Sequence, residues 1–547
     1  VAAAGGKGAA LSHASGAAWL AALFGVLWVC GQFADRASVP GQSLMKKPTA
    51  ALTEIASQTR RHVVGDRAAA FEAAGFEYDR GALSWYDAHG GPQESWSQMA
   101  HAHLPAIRFW HRTSALPIDP FGDFGYVSLT DPPPVKAGDT VTELDTEGRL
   151  LSLLARPGTT AAGAGGGVAD WSSLFTAAGL TLADFVPSAP RFVPPLYADK
   201  ILAWEGPAAF RPGGRVHVDA AAFGAMPTWF VVEGPWSVGA PSRTSAMVAD
   251  GMSAAASVVQ VSLMVLMVAL AITSVRANRS DRRGAFRIAA VGFSVELLVW
   301  ILTPAHSPDP PRELYRFFTG VAFSCFFGVL FFAAYLGLEP YVRRYWPRAL
   351  VAWTRLVSGR FADPLVGRDV LIGSTCGLLM AAVSFQYQLV PLRVGWPSPA
   401  GWLPSMAPAA GIGGALARPM YLFDFSLLNG LFGAFIMAVL RHRIRWTWLA
   451  ALVWVGVVGL LFDETSHIDA GLMRFLLFST VCSVVPAVVL VRFGLLAFTA
   501  TCMANNLVTG AVFTVDPARA YFAGCLLPVA AMVLLGLAGW RNATRRT

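Results

Sequence analysis

RYWPRALVAWTRLVSGRFADPLVGRDVLIG, residues 344–373, lies between two apolar runs and carries Arg344, Arg348, Arg355, Arg360 and Arg368, with Arg343 immediately before it. Arginine-rich loops between membrane spans stay on the cytoplasmic side, so this stretch predicts a membrane protein with a basic loop held inside. The composition agrees. Of 547 residues, 54% are hydrophobic and 14% charged, where a soluble protein carries about 25% charged residues. The formal net charge of +8 is unevenly spread: residues 35–250 hold 22 acidic and 17 basic residues, and the remainder holds 12 and 25. The basic excess lies beside the apolar runs, where topology explains it, so no nucleic-acid partner is expected. Cys30, Cys325, Cys376, Cys482, Cys502 and Cys525 all fall in apolar runs, which excludes a disulfide framework or zinc site in the polar region.

A helix needs about 20 apolar residues to cross a bilayer. Ten runs approach that length, near 14–34, 252–275, 288–304, 314–338, 370–392, 419–440, 446–462, 475–491, 493–511 and 520–540. The first continues to Val29 and Gln32 and reads as an anchor rather than a signal peptide. The chain opens on Val1 and reads as processed or truncated. Alternate loops after the second run hold 18 arginines on one side and six on the other, which predicts ten crossings with both termini cytoplasmic. The expected fold is an α-helical polytopic membrane protein of about ten spans, in a bacterial cytoplasmic membrane, with an extracytoplasmic α+β domain between the first two. Residues 1–34 form the N-terminal segment and first span, 35–250 the outer domain, and 251–547 the membrane domain with a basic loop at 339–369. In that loop Leu350, Trp353 and Val357 share one helical face and Arg348 and Arg355 the other, so it lies in the headgroup layer or docks on a partner.

The outer domain reads as duplicated over 35–158 and 168–245. A helix over 50–75, a strand at 106–112 and a hairpin at 140–155 are followed by a helix at 170–180, a strand at 196–206 and a hairpin at 215–234. Two helix-plus-three-strand units result, separated by the proline- and glycine-rich pieces 131–134 and 159–167.

Few motifs carry chemistry. Asp123-Phe124-Gly125 spells the kinase metal-binding triplet, but no HRDxxxxN, glycine-rich phosphate loop or VAIK-like strand accompanies it, so it reads as a turn. His101, His103 and His111 lack a nearby cysteine or carboxylate cluster and do not make a metal site. Charges inside apolar runs are costly and face the bundle interior or water. These are Glu296 in the third run and Asp424 in the sixth, with Asp463, Glu464, His467 and Asp469 at an outer loop. Pairing of Glu296 with Arg316 or Arg418 is the structural reading, and a proton- or ion-conducting site the functional one. Gly373 and Gly377 form a GxxxG helix-packing motif that also offers a dimer face.

Several longer stretches resemble large bacterial serine/threonine protein kinases of the multi-span type. They are SDRRGAFRIA (280–289), LEPYVRRYWPRALVAWTRLVSGRFADPLVGRDVLIG (338–373), VRFGLLAF (491–498), PAIRFWHRTS (105–114), LDTEGRLLSLLARPG (144–158) and PPLYADKILAWEGP (194–207). The likeness covers about residues 35 to 540. It implies a cytoplasmic kinase domain ahead of the first span, then an extracytoplasmic region and a membrane domain. Only about 13 residues precede the first span here, so no catalytic residue carries over. Either a kinase part belongs to a longer polypeptide, or this is a kinase-less relative. The chain is therefore read as a non-catalytic sensor or regulatory region. Its cytoplasmic coupling loop is marked by Arg348, Trp353, Arg355, Asp363 and Arg368. The alternatives are an accessory subunit of a larger membrane complex and an ion or solute translocator. No cofactor is expected other than bound lipids, and the expected partners are membrane lipids, a second copy or larger complex, and an extracytoplasmic ligand or protein.

Overall fold

The computed structural model describes residues 10–545 apart from 44, 66–69, 90–105, 121–126, 159–167, 208–213, 238–242, 278–279, 304–305, 395–401 and 463–471. A helical membrane part carries one antiparallel sheet. Seven helices are long and apolar enough to cross a membrane. They are α1 (His13–Ala37), α5 (Arg243–Arg276, apolar from Ser257), α6 (Arg282–Leu302), α7 (Pro310–Tyr345), α9 (Pro364–Val394), α10 (Ile412–Arg443) and α14 (Phe522–Ala543). Three further apolar helices fill the remaining expected runs: α11 (Thr447–Phe462), α12 (Leu472–Phe493, with its apolar stretch at Phe478–Phe493) and α13 (Leu495–Thr509). Gly494, with φ 95°, breaks the chain between α12 and α13; the left-handed conformation is nearly free of penalty only for glycine.

Small residues set how closely the helices approach. Gly292 of α6 lies against the Phe331 ring of α7, and Gly320 of α7 against the Trp300 indole of α6. One core joins α5, α6, α7, α10, α11, α12 and α13, with Phe331, Tyr335, Trp353, Phe435 and Trp454 inside it. A second joins α1, α9, α13 and α14 around Leu23, Cys30, Phe385 and Met532.

The sheet has eight strands: β1 (Phe71–Tyr78), β2 (Ile107–Ser114), β3 (Thr140–Leu144), β4 (Leu150–Ala155), β5 (Val186–Pro187), β6 (Lys200–Pro207), β7 (Arg215–Phe223) and β8 (Met226–Glu233). Their order is β1-β2-β3-β4-β8-β7-β6-β5, all pairings antiparallel. The two halves meet at β4 and β8, where Leu153 lies opposite Phe230. Each half thus supplies four strands, not three, to one continuous sheet. The expected helix over 50–75 stops at Val64: Gly65 adopts φ 81° and ends α2 (Thr49–Val64). FEAAGFEY then becomes strand β1, where the Gly75 Cα faces Trp110 so closely that a Cβ would meet its ring at 2.6 Å. A further helix, α3 (Arg80–His89), follows β1. The strand expected at 196–206 begins at Lys200.

One sheet face is apolar. Phe109, Leu144, Leu153, Phe230, Val218 and Trp204 lie under α2 and α4 (Trp171–Ala177). Phe175 of α4 meets Phe185, Trp204 and Phe230 edge-on at 5.1, 5.4 and 5.7 Å. That core continues into the membrane part through Met406, Val512 and Tyr521 in loops and Cys525 at the start of α14. Backbone bonds knit this platform: Val39 N–H donates to Trp402 O at 3.0 Å and Val512 N–H to Ser405 O at 3.0 Å. Tyr78 Oη donates to Pro404 O at 2.6 Å, so the sheet is seated on the helix ends rather than tethered beside them.

The basic loop is shorter than expected. Helix α7 runs on through Glu339 to Tyr345, and only Trp346–Asp363 separates it from α9. The loop holds a 3₁₀ turn at Pro347–Leu350 and helix α8 (Val351–Val357).

Candidate functional site

The long helix α7 touches the sheet domain at one end and enters the basic loop at the other. At the sheet end Asp119 accepts from Arg316 Nη2 at 3.1 Å and also pairs with Arg312. Arg316 and Asp119 are mostly buried, with 13% and 14% of their side chains exposed. At the far end Glu339 pairs with Arg343. Within this one helix, the rise from Arg316 to Glu339 places these contacts about 35 Å apart.

The apolar side of the basic loop packs into the bundle, while Arg348 and residues 358–362 stay exposed. Leu350, Ala352 and Trp353 are buried in the helix core. Arg355, expected on an exposed face, turns inward: its Nη1 donates to both Asp363 oxygens at 2.8 and 2.9 Å. Asp363 also accepts from Leu365 N–H at 2.9 Å, which caps the start of α9. Arg368 donates to its neighbour Asp369 at 2.8–2.9 Å, and Arg348 is exposed. The loop residues predicted from sequence thus gather at one place, but as a plug.

Gly373 and Gly377 do not form a free dimer face. They lie against α13, facing the carbonyls of Ala497 and Thr501, and Thr501 Oγ1 donates to Gly373 O at 3.1 Å. The motif is used within the chain because α13 presents Ala500 and Ala504 opposite it.

Glu296 and Asp424 are buried on facing helices α6 and α10, close enough to interact electrostatically. Neither Asp424 oxygen has a hydrogen-bond partner among the described residues. The pairing expected with Arg316 or Arg418 does not form. The α6–α7 register, Gly292 by Phe331 and Gly320 by Trp300, puts Arg316 about two turns nearer the sheet than Glu296. Arg418 instead donates to Gly510 O at 2.7 and 3.1 Å and stacks on Tyr421. A turn further from the sheet, a cavity of about 150 Å³ opens between α10, α11, α12 and α13. Asn429, Asn505, Asn506 and Ser483 supply its polar lining and Phe425, Trp454 and Phe498 its apolar walls. Asn506 donates to Ser426 Oγ at 2.9 Å, and Asn505 to Asn506 at 3.2 Å. In the sequence the signal for this site is the adjacent pair Asn505-Asn506, two amides inside an apolar run.

The second face of the sheet buries polar groups. Arg108 donates to Glu143 at 3.2 Å and pairs with Asp79. Burial opposes the guanidinium charge, but the two carboxylates outweigh it and raise its pKa. His217 meets Asp219 at 3.0 Å, both fully buried. Glu233 lies opposite His217 in the ladder; burial, then the nearby Asp219, pushes its carboxyl up to about 7. On the opposite, apolar face, two residues from Phe109, His111 is buried against Glu72, and burial lowers its pKa. Among the described residues no cluster of three or more His, Cys, Asp or Glu could hold a metal. His101, His103, the Asp123-Phe124-Gly125 triplet and Asp463, Glu464, His467 and Asp469 lie outside the described residues.

No family model, curated protein or solved structure matches this chain.

Proposed function

We propose that this chain is the sensor and regulatory region of a membrane signalling protein of the multi-span bacterial kinase type. The sheet domain faces the exterior, and the basic plug faces the cytoplasm. The observation that carries this reading is α7. It is gripped by the sheet domain through Asp119 and ends in the plug, so a rearrangement at one end moves the other. A ligand shifts such a relay only if it binds one arrangement more tightly. The test removes the grip in the full chain: Asp119→Ala, with hydrogen exchange followed at residues 346–363. Faster exchange in the plug supports the relay, and an unchanged plug beside a loosened 115–120 segment sinks it. Maleimide labelling in intact cells of single cysteines placed near Asp145 and Gly359 tests sidedness; labelling near Gly359 alone overturns the orientation.

A second reading, an accessory subunit of a larger membrane complex, is favoured by one feature. Beside the short strand β5 the sheet domain exposes Val193 and Tyr197, at 90% and 80%, together with Phe192 and Ile201. Exposed apolar patches mark interaction sites. Gentle detergent extraction followed by mass measurement separates the readings, since a stoichiometric assembly with other chains favours the accessory role.

A further inference from the structure

The fold gathers arginines from two distant stretches on the side away from the sheet. Residues 344–346 at the end of α7 abut residues 441–442 at the end of α10. The Arg441 guanidinium sits 4.7 Å over the buried Trp346 ring, the Tyr345 and His442 rings are 4.5 Å apart, and Arg344 covers Tyr345 at 5.3 Å. This stacking brings the backbone of Arg344 close to that of Arg441, and the exposed Arg348, Arg443 and Arg445 follow within four residues of these positions along the chain.

The acidic groups on that side are engaged elsewhere: Glu339 holds Arg343, Asp363 holds Arg355, Asp369 holds Arg368, and Asp281 caps α6 by accepting from Gly284 N–H at 3.0 Å. Among the described residues, no ion pair includes Arg344, Arg348, Arg441, Arg443 or Arg445. The cluster therefore presents several guanidinium groups with no internal counterion, a match for phosphate oxygens.

An apolar lane leads directly away from it. Trp446 and Trp448 are 61% and 63% exposed and stack at 5.8 Å. Trp448, Leu452 and Gly456 are all exposed and follow at four-residue spacing, so they share one face of α11. A Cβ at Gly456 would meet nothing within 4 Å, which leaves a shallow gap at the end of the lane. Exposed tryptophans at a helix end sit at headgroup level.

We infer that this corner is a binding site for an anionic phospholipid whose headgroup carries two phosphates, with one acyl chain laid along Trp448, Leu452 and Gly456. Two phosphates match the arginine count better than one, and the lane commits the ligand to a lipid rather than a soluble phosphate. The site stands whether or not the sheet domain senses a ligand.

The full chain is placed in phosphatidylcholine nanodiscs, with and without a diphosphatidylglycerol lipid, and retained lipid is counted by native mass spectrometry. The variant Arg348→Gln/Arg443→Gln/Arg445→Gln alters three exposed side chains that make no internal ion pair, so the fold is kept; its melting in phosphatidylcholine checks this. Each arginine near an anionic surface contributes about a five-fold affinity factor, so the triple variant binds about 100-fold more weakly. Arg541→Gln/Arg545→Gln, at the end of α14, is the charge control and leaves binding unchanged. Leu452→Asn weakens lipid binding through the lane. The proposal is overturned if the triple variant retains the lipid as the parent does, or if the control loses it equally. Displacement of the lipid by inorganic pyrophosphate at matched concentration also overturns it, because the site would then recognise phosphate alone.

Discussion

The contact between α9 and α13 admits a quantitative test. An ideal Cβ at Gly373 would sit 2.3 Å from Ala497 O, and one at Gly377 would sit 2.3 Å from Thr501 O, where ordinary contact begins at 3.4 Å. Both obstacles are backbone on a packed helix, so alanine at either position drives the helices about 1 Å apart. Overpacking of this kind costs about 1–3 kcal/mol. At Gly373 the separation also stretches the Thr501 hydroxyl bond from 3.1 Å beyond hydrogen-bonding range; across membrane helices such bonds contribute about 0.6 kcal/mol each. The expected losses are therefore about 2 kcal/mol for Gly377→Ala and slightly more for Gly373→Ala. The double variant loses less than the sum, since one separation relieves both clashes. The assay is unfolding of the purified protein in mixed micelles by titrated denaturing detergent. Gly456→Ala is the control: it gains the same helix propensity but meets no atom within 4 Å. If the two interface variants unfold where Gly456→Ala does, the packing argument is wrong. If they instead change the oligomeric state at constant stability, the motif faces another chain.

Three further outcomes are expected. Glu233 titrates near 7 in the folded chain against 4.5 as an ordinary carboxyl. Because the folded value is raised, its stabilising effect is complete below pH 4.5 and is lost as pH rises through 7. Glu233→Gln therefore stabilises β7 and β8 at pH 8 by up to about 3 kcal/mol and hardly at pH 4, read by hydrogen exchange. Asp363→Ala strips the buried Arg355 of its partner and removes the cap on α9; about 2 kcal/mol of stability is lost, and limited proteolysis cuts between Val357 and Pro364. Trp454 is fully buried and donates from Nε1 to Gly433 O at 2.8 Å, so Trp454→Ala costs about 3–5 kcal/mol in the same detergent titration, whereas Trp448→Ala, at an exposed site, leaves the midpoint in place.

Much of the architecture was legible because two signals are local. Apolar run length placed a helix at every expected run, and the alternation and turn residues of TVTELDTEGRLLSLLA and RVHVDAAAFGAMPTWFVVEG marked two real hairpins. Failures came where a neighbour decides. FEAAGFEY has no strong alternation and becomes a strand because β2 offers eight partners and Trp110 covers the bare Gly75. Arg355 belongs by periodicity to an exposed face and is drawn inward by Asp363, eight residues on. Residue type pairs Glu296 with an arginine, but helix register determines which charge lies level with it.

By itself the sequence determined that the chain is a helical membrane protein with a polar insertion and arginine concentrated in alternate loops. Those properties follow from length, hydropathy and charge, each carried by residues a few positions apart. Only the tertiary structure decided that two four-strand halves join at β4 and β8, that the GxxxG face is consumed by α13, that Asp119 grips α7, and that arginines almost a hundred positions apart converge beside an exposed tryptophan pair. Such pairings depend on which surfaces bury each other, and burial is a property of the packed chain that no single segment carries.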